Sequence, residues 1–412
     1  MGVERRLVEL GGDPAQRGTE ARVRVCMLIW RLDQVGGAEV YVRQLARAMV
    51  RLGVEVVICA PFRKRAFQDD DDIPFIRLPV FDFLPRYVGG IAFLFATVLY
   101  LSRARKRYDL IHAHGLHSVA PAAIIAGSFL GKPVIAQAHG AGTTGDVSTL
   151  GRSWLRGLRR RLLMKVDRYV ALTGQIRREL LEFGLDERRV LSIPNGVDLD
   201  MFRPWPGDRR ALRIELGLSE KDKVVTFVGR LTPMKRVDLL VRALGRIRPS
   251  VPEARLVIVG DGPVQSAAQQ LAAGLGLDDS VVFVGLKRNV VPYLQTGDLF
   301  VLPSDAEGMS IALLEAMACG VPVLVSDFEG NRELVTDSIN GMLFHMGSEE
   351  SLAQKMEKLL LDTTFAQALA DNAAKQVQFQ FGLDSVAARY LAMYEEVIDR
   401  KDVQSAAGPS CG

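Results

Sequence analysis

The sequence predicts an α/β chain of two doubly wound parallel-sheet domains in tandem, and three observations predict it. Short apolar runs of strand length alternate with stretches whose apolar residues recur at helical spacing. The alternation comes in two series, separated by SIPNGVDLDMFRPWP (192–206). The length of 412 residues, with 48% hydrophobic and 24% charged content, gives each of two domains enough material for its own core.

The elements follow in order. Residues 1–21 hold no apolar run of signal-peptide length and lack the Ser or Thr of a myristoylation site, so a disordered extension is expected and secretion is not. RVCMLIW (24–30) reads as a buried strand, QVGGAEVYVRQLARAMVRLG as a glycine turn leading into a helix, and EVVICAP as the next strand. DLIHAHG (109–115) and KPVIAQAHG (132–140) continue the sheet, with PAAIIAGSFLG as the crossover helix between them. These make an N-terminal domain over 22–200. VVTFVGR (224–230), ARLVIVGDG (254–262), SVVFVG (280–285), LFVLPS (299–304) and PVLVSD (322–327) form the second strand series, giving a C-terminal domain over 201–384. A helical stretch at about 385–400 and a disordered tail at 401–412 complete the expected layout.

The net charge of +4 is unevenly spread: residues 1–200 carry 30 Lys/Arg against 21 Asp/Glu, and the remainder 22 against 27. A basic front half suits an anionic partner, either a lipid surface or a phosphorylated acceptor, although a solvated basic face needs none. No basic stripe interleaved with aromatics points to nucleic acid. Cys26, Cys59, Cys319 and Cys411 lack metal-type spacing and fit reduced thiols of a cytoplasmic protein.

Chemistry concentrates in EGMSIALLEAMACGVP. Ser310 is placed to cap a helix, the run from Ile311 to Ala318 is apolar apart from Glu315, and Gly320 with Pro322 supplies the stop. A carboxylate in so apolar a helix requires a partner, and either the vicinal hydroxyls of a ligand or a core arginine such as Arg332 would serve. Glu307 precedes the helix, where free N–H groups favour anions. Arg230 and Lys235 flank the strand-to-helix loop VGRLTPMKR, and two cations there would stabilise a departing diphosphate. Gly36 and Gly37 let backbone approach a ligand closely, but the loop is not GxGxxG, which disfavours an ordinary dinucleotide site. His112 and His114 share a strand face with His117 nearby; without Cys, Asp or Glu to complete a ligand set they read as cleft or core histidines, with no metal expected. His139 ends a strand at the carboxyl edge, where open α/β sheets bind ligands.

In order, GGAE, HAH, AHG, PNGVD, GRL…K, GDGP, the Glu-x7-Glu pair and NGMLF resemble the retaining glycosyltransferases of GT-B fold, most closely glycosyltransferase family 4, over about residues 24–400. The resemblance implies two Rossmann-like domains facing a cleft, the last helix crossing back to the first domain. It implies that Glu307 and His139 touch the transferred sugar, Glu315 the ribose, and Arg230 and Lys235 the phosphates, with Gly36 and Gly37 facing the donor diphosphate. Gly262, Leu286, Met309, Ser310 and Ile311 are the further donor contacts it implies. Arg236 stands where the family commonly has Gly, which leaves open which of the two adjacent cations points inward. The implied reaction moves a hexose-type sugar from a nucleoside-diphosphate sugar to a hydroxyl acceptor, such as a lipid-linked or cell-surface glycan precursor or a small molecule. It proceeds with retention, without metal or cofactor.

Two other activities fit the same cleft: a nucleotide-sugar 2-epimerase, and a non-catalytic subunit of a glycosylation complex. All four charged site residues are present, which argues against the latter. Peripheral contact with an anionic membrane, at its inner face, is a further expectation. GRSWLRGLRRRLLMKV (151–166) sets Trp154, Leu155, Leu158 and Leu162 on one helical arc and arginines on another, an arrangement that suits either a bilayer or the domain core. The sixteen uncharged residues from Tyr87 to Ser102 are too few and too broken by glycine to span a bilayer.

Overall fold

The computed structural model describes residues 23–30, 36–61, 73–78, 86–117, 119–142, 145–151, 156–204, 207 and 209–406. In the first domain, β1 (Arg24–Ile29), β2 (Glu55–Pro61), β3 (Phe75–Leu78), β4 (Leu110–His114), β5 (Val134–Ala138), β6 (Arg168–Ala171) and β7 (Val190–Ser192) form a parallel sheet in the order β3-β2-β1-β4-β5-β6-β7. Its helices are α1 (Gly37–Arg51), α2 (Arg86–Arg103), α3 (Val119–Leu130), α4 (Asp146–Gly151), α5 (Arg156–Leu163) and α6 (Gly174–Glu182). In the second domain, β8 (Lys223–Val228), β9 (Ala254–Val259), β10 (Val281–Gly285), β11 (Leu299–Leu302), β12 (Val323–Ser326) and β13 (Met342–Phe344) pair in parallel as β10-β9-β8-β11-β12-β13. Here the helices are α7 (Arg210–Glu215), α8 (Val237–Ile247), α9 (Gln265–Gly274), α10 (Val291–Thr296), α11 (Ile311–Ala318), α12 (Glu329–Arg332), α13 (Glu349–Leu361) and α14 (Thr363–Gln380).

Strand order reverses at β1 in one sheet and at β8 in the other, because successive crossovers step in opposite directions from those strands. Ligands of open α/β sheets bind at the carboxyl ends of the strands beside such reversals. The glycine turn follows β1 and the Arg230 loop follows β8, so topology alone sets both loops where a ligand would sit.

The chain returns to the first domain. Gly382 bridges Val197, and α15 (Leu383–Ala406) lays Val386, Ala387, Tyr390, Met393, Tyr394 and Val397 into the core formed by β1 and α1. Polar contacts fix the register: the Tyr394 hydroxyl is hydrogen-bonded to His112 Nδ1 at 2.8 Å, Tyr390 donates to Gln137 at 3.0 Å, and Arg51 pairs with Asp384 at 2.6 Å.

Several expectations are corrected. Residues 401–406, read as tail, continue α15, supported one turn back by the Glu396–Arg400 ion pair; residues 407–412 lie outside the described residues, as do 1–22. The basic segment is not one described helix, since α4 ends at Gly151 and α5 begins at Arg156, and Trp154 and Leu155 lie outside the described residues. After β8, Pro233–Lys235 forms a single 3-10 turn and Arg236 adopts a left-handed conformation at φ 50, from which α8 starts at Val237.

Candidate active site

The site begins with α11, which forms as its sequence requires. The Ser310 hydroxyl accepts a hydrogen bond from the Leu313 N–H, the helix runs to Ala318, and Gly320 takes φ 70 to leave it. Glu307, in the loop between β11 and α11, forms an ion pair with Lys235 and accepts a hydrogen bond from Ser304 at 2.8 Å. Its described bonds go to these side chains and not to the helix amides that the sequence suggested. Lys235 is the inward cation. Arg236 turns the other way, to Asp238 at 3.2 Å and Asp305 at 3.3 Å, which answers the question its position raised.

Glu315 lies on α11 with only 5% of its surface exposed. Burial pushes its carboxyl up to about 8, and a hydrogen bond with Gln44 of α1, across the domain boundary, partly offsets this. The alternative partner is excluded: Arg332 binds Asp327 at 2.5 and 3.0 Å on an exposed surface. Nothing in the sequence marked Gln44, a single polar residue in an amphipathic helix.

The first domain closes over these groups through glycines. A β-carbon on Gly36 would lie 2.9 Å from Arg230 Nη2 and 2.4 Å from Glu39 Oε2, so Arg230 reaches the N-terminus of α1 because that position has no side chain. Gly37 faces Ile311, 3.8 Å from where its β-carbon would be. A β-carbon on Gly308 would sit 1.9 Å from the His139 carbonyl oxygen. His139 is held by Asp146, whose Oδ2 accepts the His139 N–H at 2.7 Å and the Gly140 N–H at 3.1 Å. Its ring stacks on His114 at 5.6 Å, and burial lowers its pKa against the opposing pull of Asp146. His112 and His114 lie deeper and are buried; desolvation lowers both, His112 to about 3, so they are neutral core imidazoles rather than cleft groups.

The other expected contacts divide. Met309 is spent on the domain junction: its carbonyl accepts Asn195 Nδ2 at 3.0 Å and its sulfur lies 3.2 Å from the Asn195 amide nitrogen. Gly262 packs behind the Arg230 loop, where a β-carbon would meet the Leu231 carbonyl oxygen at 2.3 Å. It supports that loop. Leu286 follows the edge strand β10, two strands from β8, with 52% of its surface exposed. A second junction, unmarked in the sequence, joins the domains beside the cleft. Glu333 accepts the Gly174 N–H at 2.7 Å and the Gln175 N–H at 3.3 Å at the start of α6, and Glu329 pairs with Arg178.

Two parallel-sheet domains meeting at their switch points, with Arg230 and Lys235 on the loop after β8 and Glu307 and Glu315 on the loop and helix after β11, define the GT-B class of glycosyltransferase. Residues 35–201 match the family model for Glycosyltransferase Family 4, and residues 208–376 that for Glycosyl transferases group 1. The chain is similar to the D-inositol 3-phosphate glycosyltransferase of Salinispora arenicola, 30% identical over 91% of this chain and 90% of that protein. It is also similar to the N-acetyl-alpha-D-glucosaminyl L-malate synthase of Bacillus anthracis, 27% identical over 88% of this chain and 95% of that one. Anabaena HepE, crystallised with UDP and glucose, shares the fold with a TM-score of 0.78 at 22% identity, over 91% of this chain and 100% of that chain. The chain belongs to glycosyltransferase family 4.

Proposed function

We propose that this glycosyltransferase moves a hexose-type sugar from a nucleoside-diphosphate sugar to a hydroxyl acceptor, with retention at the anomeric carbon and no metal or cofactor. The observation that carries the proposal is the Lys235–Glu307 ion pair in the same cleft where Arg230 crosses to Gly36. Two cations there suit a diphosphate. As the glycosidic bond breaks, charge grows on the leaving phosphate, and each charge-assisted hydrogen bond to it is worth about 1.5–3 kcal/mol.

Glu307 would then hold sugar hydroxyls and Glu315 the ribose hydroxyls. The neutral imidazole of His139 can exchange hydrogen bonds with the sugar without adding charge. On the retaining route, the incoming hydroxyl attacks from the face that the diphosphate leaves. Its proton passes to the departing phosphate oxygen as the new C–O bond forms. A double displacement would instead need a carboxylate on the far face. In the first domain, Asp146 has one carboxylate oxygen committed to two backbone amides.

The basic first half supports an acceptor that carries negative charge as well as hydroxyls. The relatives' names, inositol 3-phosphate and L-malate, describe molecules of that kind. The test is a thermal-shift screen of nucleoside diphosphates, followed by NMR of the product's anomeric configuration. A shifted melting temperature and a retained anomer are expected. An inverted anomer, or a C2-epimerised sugar formed without acceptor, would contradict the proposal.

A further inference from the structure

From α2, α3 and α5 we infer a docking surface for an anionic lipid bilayer on the first domain. The inference is independent of donor and acceptor identity. The three helices pack side by side, α3 between the other two, on one face of the sheet; α1 and α15 pack together on the other face. On α2, Phe93, Thr97 and Leu101 point into the domain, so Ile91, Phe95 and Leu99, at intervals of four residues, point away from it. They are 57%, 71% and 52% exposed, and Phe129 at the end of α3 is 80% exposed. Scattered single apolar residues on a surface are ordinary, but a row of three on one helix, with Phe129 on the neighbouring helix, is not.

Charge identifies the occupant. Residues 86–107, 119–132 and 156–165 contain no Asp or Glu, yet they contain Arg103, Arg105, Lys106, Arg107, Lys132, Arg159, Arg160, Arg161 and Lys165. A second copy seated here by two-fold symmetry would bring like charges together. An anionic membrane meets the face with the opposite charge and takes up the phenylalanines. Among the described residues no helix is long and apolar enough to cross a membrane, so α2 lies along the surface. The α2 stripe and the loop after it extend the basic amphipathic character read from 151–166 to a segment whose sequence showed only an uncharged run.

The test is co-sedimentation of the full chain with vesicles of phosphatidylcholine alone and of phosphatidylcholine mixed with phosphatidylglycerol. The protein should pellet with the anionic vesicles, should be released by salt, and should stay in solution with the neutral ones. The double substitution Phe95→Ser, Leu99→Ser should weaken partitioning at least about tenfold, since both apolar side chains leave water when the face docks. Its melting temperature and nucleotide binding should match wild type. Arg105→Glu with Arg107→Glu should weaken binding to anionic vesicles. Equal pelleting with both vesicle types, none with either, or undiminished binding by the variants overturns the inference. So does a solution dimer that Phe95→Ser, Leu99→Ser dissolves, which would assign the face to a protein interface.

Discussion

Gly308 and His139 touch across the domain boundary so closely that a β-carbon on Gly308 would sit 1.9 Å from the His139 carbonyl oxygen. The residue after Glu307 thus abuts the backbone of the histidine at the end of β5. Gly308→Ala forces backbone from backbone, and we expect a destabilisation of about 1–3 kcal/mol together with lost transfer. Gly36→Ala meets only the ends of Arg230 and Glu39, which can swing aside. That variant should keep its melting temperature within a few degrees while losing donor affinity. Chemical denaturation and a donor titration on both variants check the pair; equal behaviour would disprove the distinction.

Removing the Glu307 charge should cost at least about 100-fold in transfer rate with the fold intact, the scale of one electrostatic contact to a transition state. Glu307→Gln is the variant to measure, since it keeps the size and a hydrogen bond to Ser304. Lys235→Ala should reduce affinity for the free nucleoside diphosphate as well, because Lys235 is assigned to the phosphates. Wild-type turnover by Glu307→Gln would remove that residue from the site.

Glu315 makes stability depend on pH. Its carboxyl stands at about 8 in the folded protein against 4.5 unperturbed, so between these values the folded state keeps a proton that the unfolded chain releases. Stability from this residue is complete below the lower value and is lost as pH rises towards the upper one, by up to about 1.4 kcal/mol per pH unit. Glu315→Gln should flatten that slope. Denaturation curves from about pH 5 to about pH 8 measure it, and parallel slopes in both proteins would contradict the assignment.

Because α15 fills the core of the first domain, a chain ending at Phe381 should fail to give a soluble, cooperatively melting protein. Tyr394→Phe, which leaves His112 Nδ1 buried without its partner, should cost about 1–3 kcal/mol. A truncated chain with a wild-type melt would show that the helix is dispensable.

Much of this was legible because glycines, charges and helix signals are local. Ser310, the apolar run and Gly320 specify α11 unaided, and the long strands β1, β8 and β9 stand out as apolar runs. The short strands β3, β6, β7 and β13 did not: three or four residues such as Arg168–Ala171 show no period, and the neighbouring strands create them. Long-range partners were equally hidden. Gln44 beneath Glu315, Asn195 on Met309 and Glu333 on α6 are single polar residues whose meaning appears only when two domains meet. The Lys235–Arg236 ambiguity was resolved by one left-handed residue, a conformation the sequence did not signal.

Whether Arg230 and Lys235 hold a diphosphate is measured by calorimetric titration of nucleoside diphosphates into the wild-type protein and into Arg230→Ala and Lys235→Ala. At least one diphosphate should bind the wild type, and each substitution should weaken that binding by about 1.5–3 kcal/mol, roughly 10- to 150-fold. Binding of equal strength in all three proteins, or none to the wild type, would contradict that role.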